Sequence, residues 1–120
     1  MSTSKELAKS WIAMDPNPLT VQAVQRLLNE EGHEEELNKL FPANGKRIGF
    51  GTAGLRSTMM PGPLGMNDLV VIQAAQGLAR YVQETFSSTT VERSLLAVVG
   101  YDHRLNPVLN ISSESFAVLT

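Results

Sequence analysis

The sequence predicts an α/β fold, on three observations. Ile48-Gly49-Phe50-Gly51-Thr52 is a short apolar stretch that runs into a glycine-rich turn, the pattern of a strand ending at a loop. Asp68 to Phe86 carries Val71, Ala75, Leu78, Val82 and Phe86 at steps of threes and fours, the period of an amphipathic helix. Leu95-Leu96-Ala97-Val98-Val99-Gly100-Tyr101 is apolar at every position, as in a strand covered on both faces of a parallel sheet. Strand, loop, helix and strand in this order make a βαβ unit, with Ile48–Thr52 and Leu95–Tyr101 expected in one sheet.

Short helices precede this unit. Leu7, Trp11 and Ile12 share one face behind Ser4, which is expected to cap a first helix. Met14-Asp15-Pro16-Asn17-Pro18 stops it, because proline removes a donor and biases its predecessor away from helix. Thr20 is expected to cap a second helix with Val24, Leu27 and Leu28 buried, and a third spans Glu34 to Leu40, ending before Pro42. The division expected is residues 1–46 as a helical extension and 47–120 as part of an α/β domain. Met59 to Gly65 is broken by Pro61, Gly62 and Pro63 and reads as a loop, after which Asn67 caps the long helix. Ser87-Ser88-Thr89-Thr90 is a polar break, and Ser115 to Thr120 reads as the start of another helix.

Composition narrows the function. The chain has 120 residues, 42% hydrophobic and 18% charged, which is the balance of a folded rather than a disordered chain. Ten basic against twelve acidic side chains give a net charge of −2, which argues against a nucleic-acid module or a polybasic membrane anchor. There is no cysteine, which excludes disulfides, thiolate metal sites and a cysteine nucleophile, and two histidines make a histidine-rich metal site improbable. Met1 to Ser10 lacks the pattern of a signal peptide, and no stretch reaches the length needed to span a bilayer, so the cytoplasm is the expected compartment.

Glu30, Glu31, Glu34, Glu35 and Glu36 form an acidic run. It can serve a cation or a basic partner, and it also suits a solvated helix start; the second reading is preferred. Asn110-Ile111-Ser112 matches a glycosylation acceptor and carries no weight without a secretion signal.

The most informative segment is Phe50-Gly51-Thr52-Ala53-Gly54-Leu55-Arg56. Gly51 and Gly54 allow close backbone approach, Thr52 offers a hydroxyl, and the Arg56 guanidinium matches phosphate oxygens in pairs. Together they form a phosphate cradle; the same residues also serve as a tight turn with an arginine near a helix, and both readings stand on the residues alone. Neither a Walker-type loop nor a dinucleotide-binding glycine motif is present. Gly100-Tyr101-Asp102-His103-Arg104 lies where an open α/β sheet places ligands. Asp102 beside His103 can do acid–base work, but Asp102 and Arg104 tying loops together is the preferred reading.

Read together, Phe50 to Arg56, Met66-Asn67, Gln73 to Tyr81 and Gly100 to Arg104 resemble the opening of the α-D-phosphohexomutase superfamily, in its phosphoglucomutase/phosphopentomutase branch. Trp11 and Asp15-Pro16-Asn17-Pro18 resemble that branch too. The resemblance implies an incomplete α/β/α sandwich and an N-terminal fragment of a larger enzyme. In such enzymes a phosphoserine exchanges its phosphoryl group with a sugar phosphate, magnesium is held by that serine and by aspartates of another domain, and a sugar bisphosphate acts as activator. Carried over, Arg56 steadies the phosphoserine, Thr52 and Gly54 shape its loop, and Asp102 and Arg104 support the strand end. The family's phosphoserine loop T-A-S-H-N-P and metal loop D-G-D-x-D-R do not occur in this sequence. The resemblance therefore implies a phosphosugar substrate for the longer enzyme, no metal ligands here, no turnover by this chain alone, and self-association of an incomplete domain. A non-catalytic interaction or phosphate-binding module, or a truncated product with no function of its own, are the alternatives.

Overall fold

The computed structural model describes residues 2–86 and 95–120. In chain order the elements are α1 (Ser4–Met14), α2 (Pro18–Asn29), α3 (Glu34–Leu40), β1 (Phe50–Gly51), β2 (Gly54–Leu55), α4 (Asp68–Phe86), β3 (Leu105–Asn106), β4 (Ile111–Ser112) and α5 (Ser113–Leu119). The polar break at Ser87–Thr90 lies outside the described residues.

Local chemistry sets the helix starts, and two differ from expectation. Thr3, not Ser4, caps α1: its hydroxyl accepts from Glu6 N at 3.2 Å while Thr3 N donates to Glu6 Oε2 at 2.8 Å. This reciprocal box needs an acid three residues on, which Thr3 has in Glu6 and Ser4 lacks. Asn17, not Thr20, caps α2: its Oδ1 accepts from Leu19 N at 3.0 Å and Thr20 N at 3.4 Å. Pro18 then occupies the first helical position, where a missing N–H leaves no helical bond unmade. Thr20 instead donates its hydroxyl to Asp15 Oδ2 at 2.5 Å.

α1, α2 and α3 pack around Ala8, Trp11, Val24, Leu37 and Phe41, and Leu69 and Val70 from the start of α4 join the same core. Trp11 and Phe41 meet edge to face with ring centroids 6.1 Å apart. The end of α4 behaves otherwise. Of the expected stripe, Val71, Ala75 and Val82 are half-buried, while Leu78 and Phe86 are exposed.

The loop before α4 is held by Asn67, which is fully buried. Its side-chain amide donates to the carbonyls of Met60 and Gly62 at 2.9 and 2.8 Å, and its Oδ1 accepts from Val70 N at 3.0 Å, capping α4. Asn106 Nδ2 donates to Met59 O at 3.0 Å and Asn17 Nδ2 to Leu109 O at 3.0 Å, so the β3–β4 hairpin is tied to this loop and to the α1–α2 junction.

The βαβ expectation is corrected. β1 pairs antiparallel with β2, Phe50 opposite Leu55 and Gly51 opposite Gly54, and β3 pairs antiparallel with β4. Gly54, at φ +89°, follows a Thr52-Ala53 turn that reverses the chain, and adjacent strands close such a short loop at small entropic cost. Leu95–Tyr101 belongs to no strand, and among the described residues none forms a backbone hydrogen bond with it. A strand exists only with a ladder neighbour, so an apolar run without one stays irregular. The architecture is thus a mixture of helices and small antiparallel sheets. No helix among the described residues is long and apolar enough to cross a membrane.

Candidate functional site

Arg56 follows β2 directly, and Arg104 precedes β3. Both line one cavity of about 240 Å³, with Ser57, Met66 and, from α5, Ser113 and Phe116. Arg56 Nη1 donates to the neighbouring Leu55 carbonyl at 3.1 Å, and among the described residues Arg56 forms no ion pair. Its remaining donors are therefore available to an anion. Arg104 differs: its Nε lies 3.0 Å from Asp102 Oδ2. The Asp102 carboxylate also accepts from the Ser113 hydroxyl and from Arg104 N. The Ser113 bond, then the Arg104 backbone bond and the Arg104 and His103 charges, hold Asp102 below the usual carboxylate range.

Asp102 thus links the segment before β3 to Ser113 at the start of α5 and pairs with Arg104. With Asp102 balancing Arg104, the cavity wall keeps the positive charge of Arg56, so the arrangement fits a small anion. Thr52 and Gly54 sit at the tip of the β1–β2 hairpin, Thr52 exposed and Gly54 half-buried, and Phe50 beside them is 81% exposed. The structure brings Arg56 and Arg104 together; Thr52, in the preceding turn, and Gly54, at the start of β2, do not line the cavity. Ser113 and Phe116 were not foreseen as site residues. Only the serine pair Ser112-Ser113 signalled them, since Ser112 caps α5 by accepting from Ser115 N at 3.0 Å and so places Ser113 at the helix start.

Within the acidic run, Glu30 and Glu35 form local ion pairs with Arg26 and Lys39. Glu30 accepts from Arg26, which holds its carboxyl below the ordinary range, and it faces His33 at 3.2 Å. Glu35 pairs with Lys39 at 3.0 Å. Among the described residues no group of three or more histidine, aspartate or glutamate side chains is placed to hold a metal ion.

Comparison with known proteins decides the family. The chain is 46% identical over 109 residues to a phosphopentomutase of Pongo abelii, covering 91% of this chain and 17% of that protein. It is 46% identical over 105 residues to the phosphoribomutase of Saccharomyces cerevisiae, 88% of this chain and 15% of that one. It is 39% identical over 110 residues to the glucose 1,6-bisphosphate synthase of Homo sapiens, 92% of this chain and 17% of that one. The chain belongs to the phosphohexomutase superfamily. It spans about a sixth of the length of the curated relatives it matches. No protein-family model and no solved structure matches it. A match over 109 of the 120 residues takes in α2 to α4 and Arg56.

Proposed function

We propose that this chain is the part of a phosphosugar mutase that presents Arg56 to a phosphoryl group, in an enzyme interconverting sugar 1-phosphates with 5- or 6-phosphates. The observation that carries this reading is the Arg56 guanidinium, without an ion pair among the described residues, on a cavity shared with Arg104, in a chain that is 46% identical to a phosphopentomutase. Phosphoryl transfer relies on positioning and on neutralising charge, and a rigid guanidinium fork does both. On this reading Leu95–Tyr101 is a strand of an α/β/α sandwich completed by the longer enzyme, and Thr52 and Gly54 shape the loop that leads to Arg56. The chain alone turns over nothing, because the phosphoserine and metal loops of the superfamily are not in its sequence.

Two measurements test the reading. Calorimetric titration of the chain with inorganic phosphate and with ribose 5-phosphate is expected to show weak binding that Arg56→Ala abolishes. Binding unchanged in Arg56→Ala removes the assignment. A coupled assay with magnesium and a sugar bisphosphate primer is expected to match the blank. Turnover above the blank, in material free of host mutase, contradicts the division of labour.

A further inference from the structure

A cavity of about 160 Å³ lies between α1, the segment after α3 and the loop before α4. Leu7, Trp11 and Met14 of α1, Phe41 and Pro63 form its apolar wall, Ser10 adds a hydroxyl, and Arg47 carries its charge. The backbone on either side of Arg47 is fixed: Lys46 N donates to Asn44 Oδ1 at 3.0 Å, and Ile48 N to the Pro63 carbonyl at 2.8 Å. The Arg47 guanidinium donates to the Gln73 side-chain oxygen, which is neutral, and among the described residues it forms no ion pair. Among the described residues no acidic side chain lines the cavity, so this positive charge is uncompensated there. Trp11 supplies a second polar group. It is 4% exposed, and its Nε1 is buried with no hydrogen-bond partner. A buried donor without an acceptor costs free energy and is rare in native structures, where a bound group is one of its causes.

We propose that this cavity binds a small aromatic carboxylate, with its ring among Trp11, Met14 and Phe41 and its carboxylate on Arg47. Three features select that ligand. The volume admits one six-membered ring with a short substituent, since an apolar cavity of about 150 Å³ holds benzene. The wall is aromatic and aliphatic, so a sugar would lose water from its hydroxyls without gaining hydrogen bonds in return. The charge is a single guanidinium, whose planar fork matches the two oxygens of a carboxylate, and the unpaired indole N–H is a further donor for an acceptor group. The site shares no lining residue with the Arg56 cavity, and the proposal is independent of the mutase reading.

The probe is benzoate, titrated into the full chain. Trp11 is the one tryptophan of the sequence, so its indole N–H gives a single, unambiguous proton resonance. That resonance is expected to shift saturably with benzoate. Benzyl alcohol has the same ring without the charge, and it is expected to bind more weakly by about fivefold or more, a value reduced from that of a buried pair by the exposure of Arg47. Arg47→Met keeps an apolar stem and is expected to lose the same factor for benzoate and none for benzyl alcohol. Gln73→Ala removes the partner of Arg47 but not the guanidinium, and it is expected to bind benzoate as the parent does. Equal binding of benzoate and benzyl alcohol overturns the proposal in favour of a plain apolar void. Inorganic phosphate moving the indole resonance as benzoate does overturns it in favour of a general anion site. Benzoate binding that Arg47→Met leaves unchanged removes the carboxylate assignment, and an indole resonance that does not respond to benzoate overturns the site outright.

Discussion

The Asn67 side-chain amide donates to the Gly62 carbonyl at 2.8 Å, and through this bond one buried residue shapes the loop ahead of α4 while its own carbonyl side caps that helix. Asn67→Ala removes the donors to Met60 and Gly62 and the acceptor for Val70 N at once. Leaving such buried groups unpaired is expected to cost about 2–4 kcal/mol, read as a fall in the urea midpoint. Asn67→Asp restores the cap but not the donors and is expected to recover only part of the loss. Full recovery with Asp limits the role of Asn67 to capping.

Three glycine-to-alanine substitutions are expected to differ in sign. A Cβ at Gly65 collides with the Met60 carbonyl oxygen, and one at Gly62, where φ is +91°, meets the Leu40 carbonyl oxygen at 2.8 Å. Both contacts are with backbone, which yields little, so each substitution is expected to destabilise by more than about 1 kcal/mol. Gly77 lies within α4 with nothing within 4 Å. Gly77→Ala is expected to stabilise by about 0.5–1 kcal/mol through helix propensity. Thermal melts of the three variants give the signs directly.

The residues that make these contacts explain how much was legible beforehand. The bounds of α3 and α4 and the cap at Asn67 followed from apolar period and flanking side chains, because those signals are local. The caps of α1 and α2 were misplaced by a few residues because Thr3, Ser4, Asn17 and Thr20 are all competent caps, and only Glu6 and Pro18 select between them. Leu95–Tyr101 has strand composition, but pairing depends on a neighbour that composition does not reveal. The β3–β4 hairpin was missed for the opposite reason. Its strands are two residues long, and its turn depends on Asn106 accepting from Val108 N and Leu109 N and on Asn110 at φ 50°. In the site, Arg56 and Arg104 were readable as chemistry, whereas their common cavity with Ser113 is a product of the tertiary fold.

Asp68 links stability to pH. Burial first, and then the charge of Asp15, raise its carboxyl above the ordinary range, and its Oδ1 is buried without a hydrogen bond. A carboxyl raised on folding contributes stability that is fully present below its unfolded value, about 4, and is lost as pH rises through the folded value. Asp68→Asn is therefore expected to be more stable than the parent at neutral pH. The gap is expected to close as pH falls through the folded value toward about 4, where the parent carboxyl is neutral too. Urea midpoints of both proteins across this range check it; a gap independent of pH contradicts the assignment.

The central claim is that Arg56 faces a phosphoryl group. The most direct test follows the amide chemical shifts of Gly51 to Ser57 while ribose 5-phosphate is titrated into the parent chain and into Arg56→Lys. Lysine keeps the charge but loses the paired donor geometry. The account predicts shifts that saturate in the parent, centred on Leu55 to Ser57 and extending to Arg104 and Ser113, and that are largely absent in Arg56→Lys. Shifts confined to the Glu30–Glu36 segment, or equal in the two proteins, contradict it.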